Sequence, residues 1–263
     1  DVIYIATPHP RHAENIMRCL NAGKSVLCEK PFTVNAAEAA AAIDLARKKG
    51  LFLMEGMWSR FLPHLVKVRQ ILALETIGAP RILTADFGFH ASFDPNSRIY
   101  NPELGGGALL DVGIYVLSLA SMIFGTPKTI NSSAFLGKTG VDEQSAYLLN
   151  YANGAFASLL SAVSVSSPTQ AYILGEEGSL YLPPSWYASK QVVEQHPGKP
   201  DKVIDCSYEG NGFQYEAQEV VTCLKKGVTE SCIMPLDETL AIMQTMDTIR
   251  AQWGLRYPSE GSD

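Results

Sequence analysis

The sequence contains no CxxC pair, no GxGxxG turn, no GxSxG elbow, no internal repeat and no low-complexity tract. Without CxxC spacing, the five cysteines (Cys19, Cys28, Cys206, Cys223 and Cys232) offer neither a zinc ribbon nor a disulfide framework. Their odd number reads as reduced thiols in a cytoplasmic setting. Without GxSxG, and with no defensible Ser-His-Asp order, serine-hydrolase chemistry falls away. The serines between 158 and 167 fit alternating strand faces better than a nucleophile. Basic charge is also scarce. The formal net charge is -6 and no Lys/Arg stripe offsets it, which argues against nucleic acid as a partner. No apolar run reads as long enough to span a bilayer and no signal peptide is visible, so no membrane partner is expected. What remains is a globular composition: 263 residues, 46% hydrophobic and 18% charged, enough for one large or two ordinary domains.

The front of the chain alternates in kind. VIYIA (2–6), SVLCE (25–29) and LFLME (51–55) are short, continuous apolar runs, the pattern of parallel strands covered on both faces. Between them lie two helical stretches. RHAENIMRCLNAG closes on Gly23. AAEAAAAIDLARKKG is capped by Asn35, has Glu38 as capping-box partner and stops at Gly50. Strand–helix–strand–helix–strand with short connections predicts right-handed crossovers and a parallel sheet, half of a doubly wound nucleotide fold. The half bearing the Gly-rich phosphate turn is absent from the sequence. The chain opens on Asp1 and runs at once into a strand without an initiator methionine. Roughly 60–70 further residues are expected ahead of it, at about 30 per βαβ unit.

After residue 57 the texture changes. FLPHLVKVRQILALETIG reads as a helix, RILTADFGFH (81–90) alternates toward β, and GGGALLDVGIYVLSLASMIFG reads as an apolar helix. From about 129 to 206, short β-like runs separated by turns such as ANG and GEEGS predict a sheet, and two helices close the chain. The fold class is therefore α/β: the C-terminal half of a Rossmann doubly wound parallel sheet (1–57), then an α+β domain with a large, mostly antiparallel open sheet (58–263).

Few residues carry chemistry. Lys30 follows the second strand, at the end of an open α/β sheet where ligands bind. An ammonium there can hydrogen-bond a substrate oxygen, or transfer a proton if burial lowers its pKa. Glu29 beside it opposes that drop, and a surface Lys–Glu pair would give the same residues. Asp111 and Tyr115 are four apart on a helix and so share a face; a satisfied core pair is the alternative. Gly105–Gly107 allow either a close backbone approach to a ligand or a hinge. His9 and His12 stand three apart across a proline with no further ligand nearby, so no metal is expected. His64 and His90 are isolated and read as structural.

The order ATPHPRH, CEKP, MEGMWSRFLP, GGGALLDVGIY resembles the Gfo/Idh/MocA oxidoreductases over nearly the whole chain. MEGMWSRFLP and the apolar helix look closest to the family's branch of dimeric dihydrodiol dehydrogenases and NADP-dependent sugar dehydrogenases. The resemblance implies an NADP or NAD cofactor. It also implies hydride transfer from the secondary hydroxyl of a sugar or vicinal diol, and a C-terminal domain that binds substrate and forms homo-oligomers through its sheet. It carries over Lys30 and Tyr115 as the groups handling the hydroxyl proton, Asp111 as their neighbour, and a cis Lys30–Pro31 bond. Thr7, Pro8, His9, His12, Glu29, Lys30, Trp58 and Arg60 carry over to the cofactor path, though a packed indole with a stacked arginine explains Trp58 and Arg60 equally well. Two other readings of this fold stay open: a sensor that binds sugar or dinucleotide without turnover, and an inactive fragment whose strand 2–6 edge is an aggregation risk.

Overall fold

The computed structural model describes residues 2–260. Its first sheet is three parallel strands in the order β1 (Val2–Ile5), β2 (Ser25–Glu29), β3 (Leu53–Gly56). The register pairs Val2 with Ser25 and Val26 with Leu53. Helices α1 (His12–Asn21) and α2 (Ala36–Lys49) make the crossovers. β2 occupies the expected residues, and its Val26, Leu27 and Cys28 are buried. One strand expectation needs correction: β3 begins at Leu53, because Leu51 and Phe52 lead into it. Among the described residues β1 stands at the edge of the sheet, with Ile3 and Tyr4 exposed.

Asn35 caps α2 as expected, its side chain accepting from Glu38 N at 2.8 Å. The reciprocal bond differs: Glu38 reaches back to Val34 N (3.2 Å) instead of the cap residue's own N–H. Gly50 closes the helix in the left-handed region, at φ 63°.

The second part is built on an eight-stranded sheet. Helix α3 (Pro63–Ala73) leads to β4 (Pro80–Gly88). A π-helical turn (Leu109–Gly113) then runs directly into α4 (Ile114–Phe124). There follow β5 (Thr129–Leu136), β6 (Asp142–Asn150), β7 (Phe156–Ala162), β8 (Ala171–Gly175), β9 (Ser179–Leu182), β10 (Gln191–Gln195) and β11 (Lys202–Asp205). Sheet order is β11-β10-β9-β8-β4-β7-β6-β5, antiparallel except where β4 pairs with β7. One face packs on the helices. The other leaves Phe135, Leu148 and Leu160 exposed.

The stretch Pro102–Phe124 corrects one reading. It is long and apolar enough to cross a membrane by length and composition, yet it is mostly buried as the central helix of this fold. Helices α5 (Phe213–Lys225) and α6 (Leu236–Trp253) finish the chain. α6 returns to the first sheet: Thr239 donates to Glu55 Oε2 (3.1 Å) and Asp247 accepts from Ala36 N (2.8 Å). One continuous hydrophobic core therefore spans both parts of the chain.

The cap at Asn35 is a local, removable contribution. Asn35→Ala should lower unfolding free energy by about 1 kcal/mol in a chemical-denaturation curve, with unchanged slope.

Candidate active site

The site forms where the ends of β1 and β2 meet the turn before α4. Lys30 is placed by the last residue of β2 and by Pro31, and the Lys30–Pro31 peptide is cis. Its Nζ donates to the Asp111 carbonyl at 2.7 Å and lies 3.3 Å from Asp111 Oδ1. The same Nζ is 4.9 Å from the centre of the Tyr115 ring. The three residues thus converge, although 81 residues separate Lys30 from Asp111. The helical-face expectation for Asp111 and Tyr115 rested on α-helical spacing. The backbone around Asp111 is instead a π turn, a wider coil often found at functional sites.

Electrostatics correct one expectation. Burial works against the Lys30 charge, but Tyr115, Asp111 and Glu29 outweigh it, and its pKa lies above that of ordinary lysine. Lys30 is therefore a fixed ammonium donor, not a base loosened by burial. Burial raises Tyr115, and the opposing pull of Lys30 and the Trp58 hydrogen bond does not cancel it. Burial also opposes ionisation of Asp111, but Lys30 and Arg98 prevail and hold its carboxyl below the usual range.

The triple glycine admits a close approach of the chain to itself. A Cβ on Gly106 would lie 2.7 Å from the Ile99 carbonyl oxygen, and one on Gly107 would lie 2.3 Å from Asp142 Oδ1. The close approach lets Asp142 Oδ2 accept from Leu109 N at 2.7 Å, capping the turn that carries Asp111. The Gly105 carbonyl meets His9 Nδ1 at 3.0 Å.

A cleft of about 390 Å³ opens beside Lys30, lined by Ala6–His9, His12, Glu29, Arg98, Leu104 and Asp111. Thr7, Pro8, His9, His12, Glu29 and Lys30 are thus brought together. Trp58 and Arg60 are not among its lining. Trp58 Nε1 donates to the Tyr115 hydroxyl at 2.8 Å, so it sits on the phenol. Arg60 is only 2% exposed and bonds Ser118 Oγ (2.9 Å), the Ser118 carbonyl (2.7 Å) and Glu238 (2.6 Å). Its guanidinium is spent in the core, which corrects its assignment to the cofactor path.

Several residues were missed from sequence. Arg98 Nη1 reaches Asp111 Oδ1 at 2.9 Å. Around Tyr115 stands an aromatic wall. Phe87 stacks on Tyr187 at 4.3 Å, both rings lie within 5.6 Å of Tyr115, and Phe213 stacks on Trp58 at 4.8 Å. Its members come from four distant segments, and no spacing rule links them.

The cleft lies beyond the carboxyl ends of parallel strands, the place where doubly wound sheets hold dinucleotides. Backbone and side-chain polar groups of Thr7, Glu29 and Lys30 line it, which fits the nicotinamide end of such a cofactor. A larger hollow of about 490 Å³ lies beside Asn35 and Arg250, but Arg250 is already bonded to Asp247 and Glu260.

A parallel nucleotide-type sheet with an ammonium at its mouth and a phenol behind it fits a nucleotide-dependent oxidoreductase. Comparison with known proteins agrees. Residues 1–57 match the oxidoreductase family model for the NAD-binding Rossmann fold, and residues 65–181 match the GFO/IDH/MocA C-terminal domain. Trans-1,2-dihydrobenzene-1,2-diol dehydrogenase of Mus musculus is 38% identical over 99% of this chain and 79% of its own length. The Homo sapiens protein of that name is also 38% identical, with the same coverage. Among solved structures, an aldose-aldose oxidoreductase from Caulobacter crescentus, complexed with glycerol, superposes with TM-score 0.87 at 27% identity, over 97% of this chain and 78% of that one. A 3-ketoreductase from Actinomadura kijaniata, in complex with NADP and TDP-benzene, gives TM-score 0.82 at 25% identity, over 95% of this chain and 78% of that one. The chain belongs to the Gfo/Idh/MocA family of NAD(P)-dependent oxidoreductases.

Near the site, Glu216 is 2% exposed and its Oε2 lacks a partner among the described residues. Burial, then the charge of Glu29, pushes its pKa up to about 8. A carboxyl raised on folding binds its proton more tightly in the native state, so stability is lost as pH rises from about 4.5 to about 8. Glu216→Gln should flatten that loss: melting temperature between pH 5 and pH 8 should fall less than in the parent.

Proposed function

We propose that this protein moves a hydride between a nicotinamide cofactor and a secondary alcohol carbon of a sugar or cyclic vicinal diol. Lys30 and Tyr115 hold the reacting oxygen, and Asp111 fixes Lys30. The observation that carries the reading is the convergence of Lys30, Asp111 and Tyr115: Lys30 and Asp111 line the cleft, and the Tyr115 ring stands 4.9 Å behind the Lys30 ammonium. The bound nicotinamide, NADP or NAD, supplies the hydride chemistry. Thr7, Pro8, His9, Glu29 and Lys30 would face it across the cleft.

The chain's own groups do the rest. The Lys30 ammonium hydrogen-bonds the substrate oxygen and stabilises negative charge developing there during oxidation. Tyr115 takes the hydroxyl proton in oxidation and returns it in reduction. The wall of Phe87, Tyr187, Trp58 and Phe213 makes the surroundings of Tyr115 apolar and aromatic, which suits a cyclic diol or a pyranose. The names of the relatives, a trans-1,2-dihydrobenzene-1,2-diol dehydrogenase and an aldose-aldose oxidoreductase, support a substrate bearing neighbouring hydroxyls.

We further infer that two copies pair through the open face of the eight-stranded sheet. Exposed Phe135, Leu148 and Leu160 on neighbouring strands give that face an apolar centre. The five free cysteines suit a cytoplasmic, reducing compartment.

Lys30→Met should lower kcat by about 100–1,000-fold and Tyr115→Phe by about 100–10,000-fold, with circular dichroism unchanged. Near-normal turnover in both would sink the assignment. Because the Tyr115 pKa lies above 10.0, the phenol is protonated at neutrality. Alcohol oxidation should therefore climb with pH through the alkaline range, while carbonyl reduction should not. In light scattering, Leu160→Glu should shift a dimer toward monomer; a parent that is monomeric at micromolar concentration rejects the pairing.

A further inference from the structure

The loop after β1 and the turn after β2 form two walls of the cleft, and one buried side chain joins them. His12, at the start of α1, has no exposed surface. Its Nδ1 lies 2.8 Å from the Pro31 carbonyl oxygen and its Nε2 lies 2.8 Å from the Thr7 carbonyl oxygen. Asn15, one turn on, adds a bond from Nδ2 to Thr7 Oγ1 at 3.1 Å. On the other side of Pro31, Phe32 N–H donates to the buried Glu55 at 3.1 Å. The turn bearing Lys30 is thus held between His12 and Glu55. Both ring nitrogens of His12 are committed to backbone, so the ring has no polar atom left for a ligand.

A neutral imidazole carries one N–H, whereas the imidazolium carries two. Two carbonyls at hydrogen-bond distance are both satisfied only by the charged ring. The neutral ring bonds one and turns a lone pair toward the other. The groups facing it are His9, whose ring meets it edge-on at 5.8 Å, and Glu29 and Lys30 at the end of β2. Arg11 and Glu14, on either side of it in sequence, pair with each other at 3.2 Å.

We propose that His12 is a positioning residue: its ring ties the Ala6–His9 loop to the Lys30 turn and so sets where the ammonium stands relative to Asp111 and Tyr115. The consequence for turnover rests on the role given to Lys30 above; the tie itself does not. A displacement of about 1 Å in a reacting group can cost about 100-fold in rate.

The test uses His12→Ala and His12→Gln, the latter able to reach one carbonyl but not both. Two readouts are taken. In steady-state kinetics, His12→Ala should lose at least tenfold in kcat with substrate KM within about threefold, and His12→Gln should fall between it and the parent. In lysine-labelled protein without cofactor, the Lys30 side-chain carbon resonance should titrate at lower pH in both variants, because the ammonium has left Asp111. A Lys30 titration identical to the parent's, in a folded variant, overturns the proposal. If neither variant folds, the parent decides. Burial, against the pull of the two carbonyls, lowers His12 below the ordinary imidazole pKa of 6.5. The Lys30 resonance should then show an inflection below that pH, as the ring gains its second N–H. No inflection there overturns the tie. Lys30→Met with normal turnover would instead overturn the role of Lys30 while leaving the resonance test standing.

Discussion

The contact between Lys30 and Asp111 is the constraint on which the site depends. An ammonium at the end of a strand has many rotamers and much water to choose from. Here it is fixed by a carbonyl and a carboxylate of one residue, on a turn that is itself capped by Asp142. The carboxylate is balanced in turn by Arg98. Removing Asp111 would leave a largely buried cation with only partial compensation, a costly arrangement in any fold. The same contact joins the two parts of the chain at the cleft, so the site and the junction between the sheets are one structure.

Behind that contact lies a second layer of buried titratable groups whose partners are mostly backbone. His12 meets the Thr7 and Pro31 carbonyls, Glu55 the Phe32 N–H, and Asp142 the Leu109 N–H. Burial raises Glu55 and Asp142 each to about 7. Groups of this kind cost stability when ionised, and these reach from neighbouring elements to bond the segments that carry Lys30 and Asp111. Their placement fits a general pattern in which stability is spent where backbone must be held in one position.

Local features were legible in the sequence where a single chemical signal fixes them. SVLCE read as a strand to the residue, because polar turns flank a short apolar run. Asn35 read as a cap because its side chain needs only the N–H three residues on. Lys30, Asp111 and Tyr115 were reached through motif likeness more than physics, since EKP alone reads equally as a surface pair. Features that depend on distant segments were not legible. Phe87, Tyr187 and Phe213 carry no local signal that separates them from ordinary core aromatics. Arg98 lay in an aperiodic loop. Arg60 was misplaced because an arginine beside a tryptophan looks the same whether it faces a ligand or Ser118 and Glu238.

The indole of Trp58 fixes the direction in which Tyr115 can act. Indole nitrogen only donates, so the 2.8 Å bond occupies a lone pair of the phenolic oxygen and leaves its hydrogen unclaimed. That hydrogen must find an acceptor elsewhere. The hydroxyl is thus oriented as a donor. In the role proposed for it above, it gives a proton as it stands and must lose its own before it can take one.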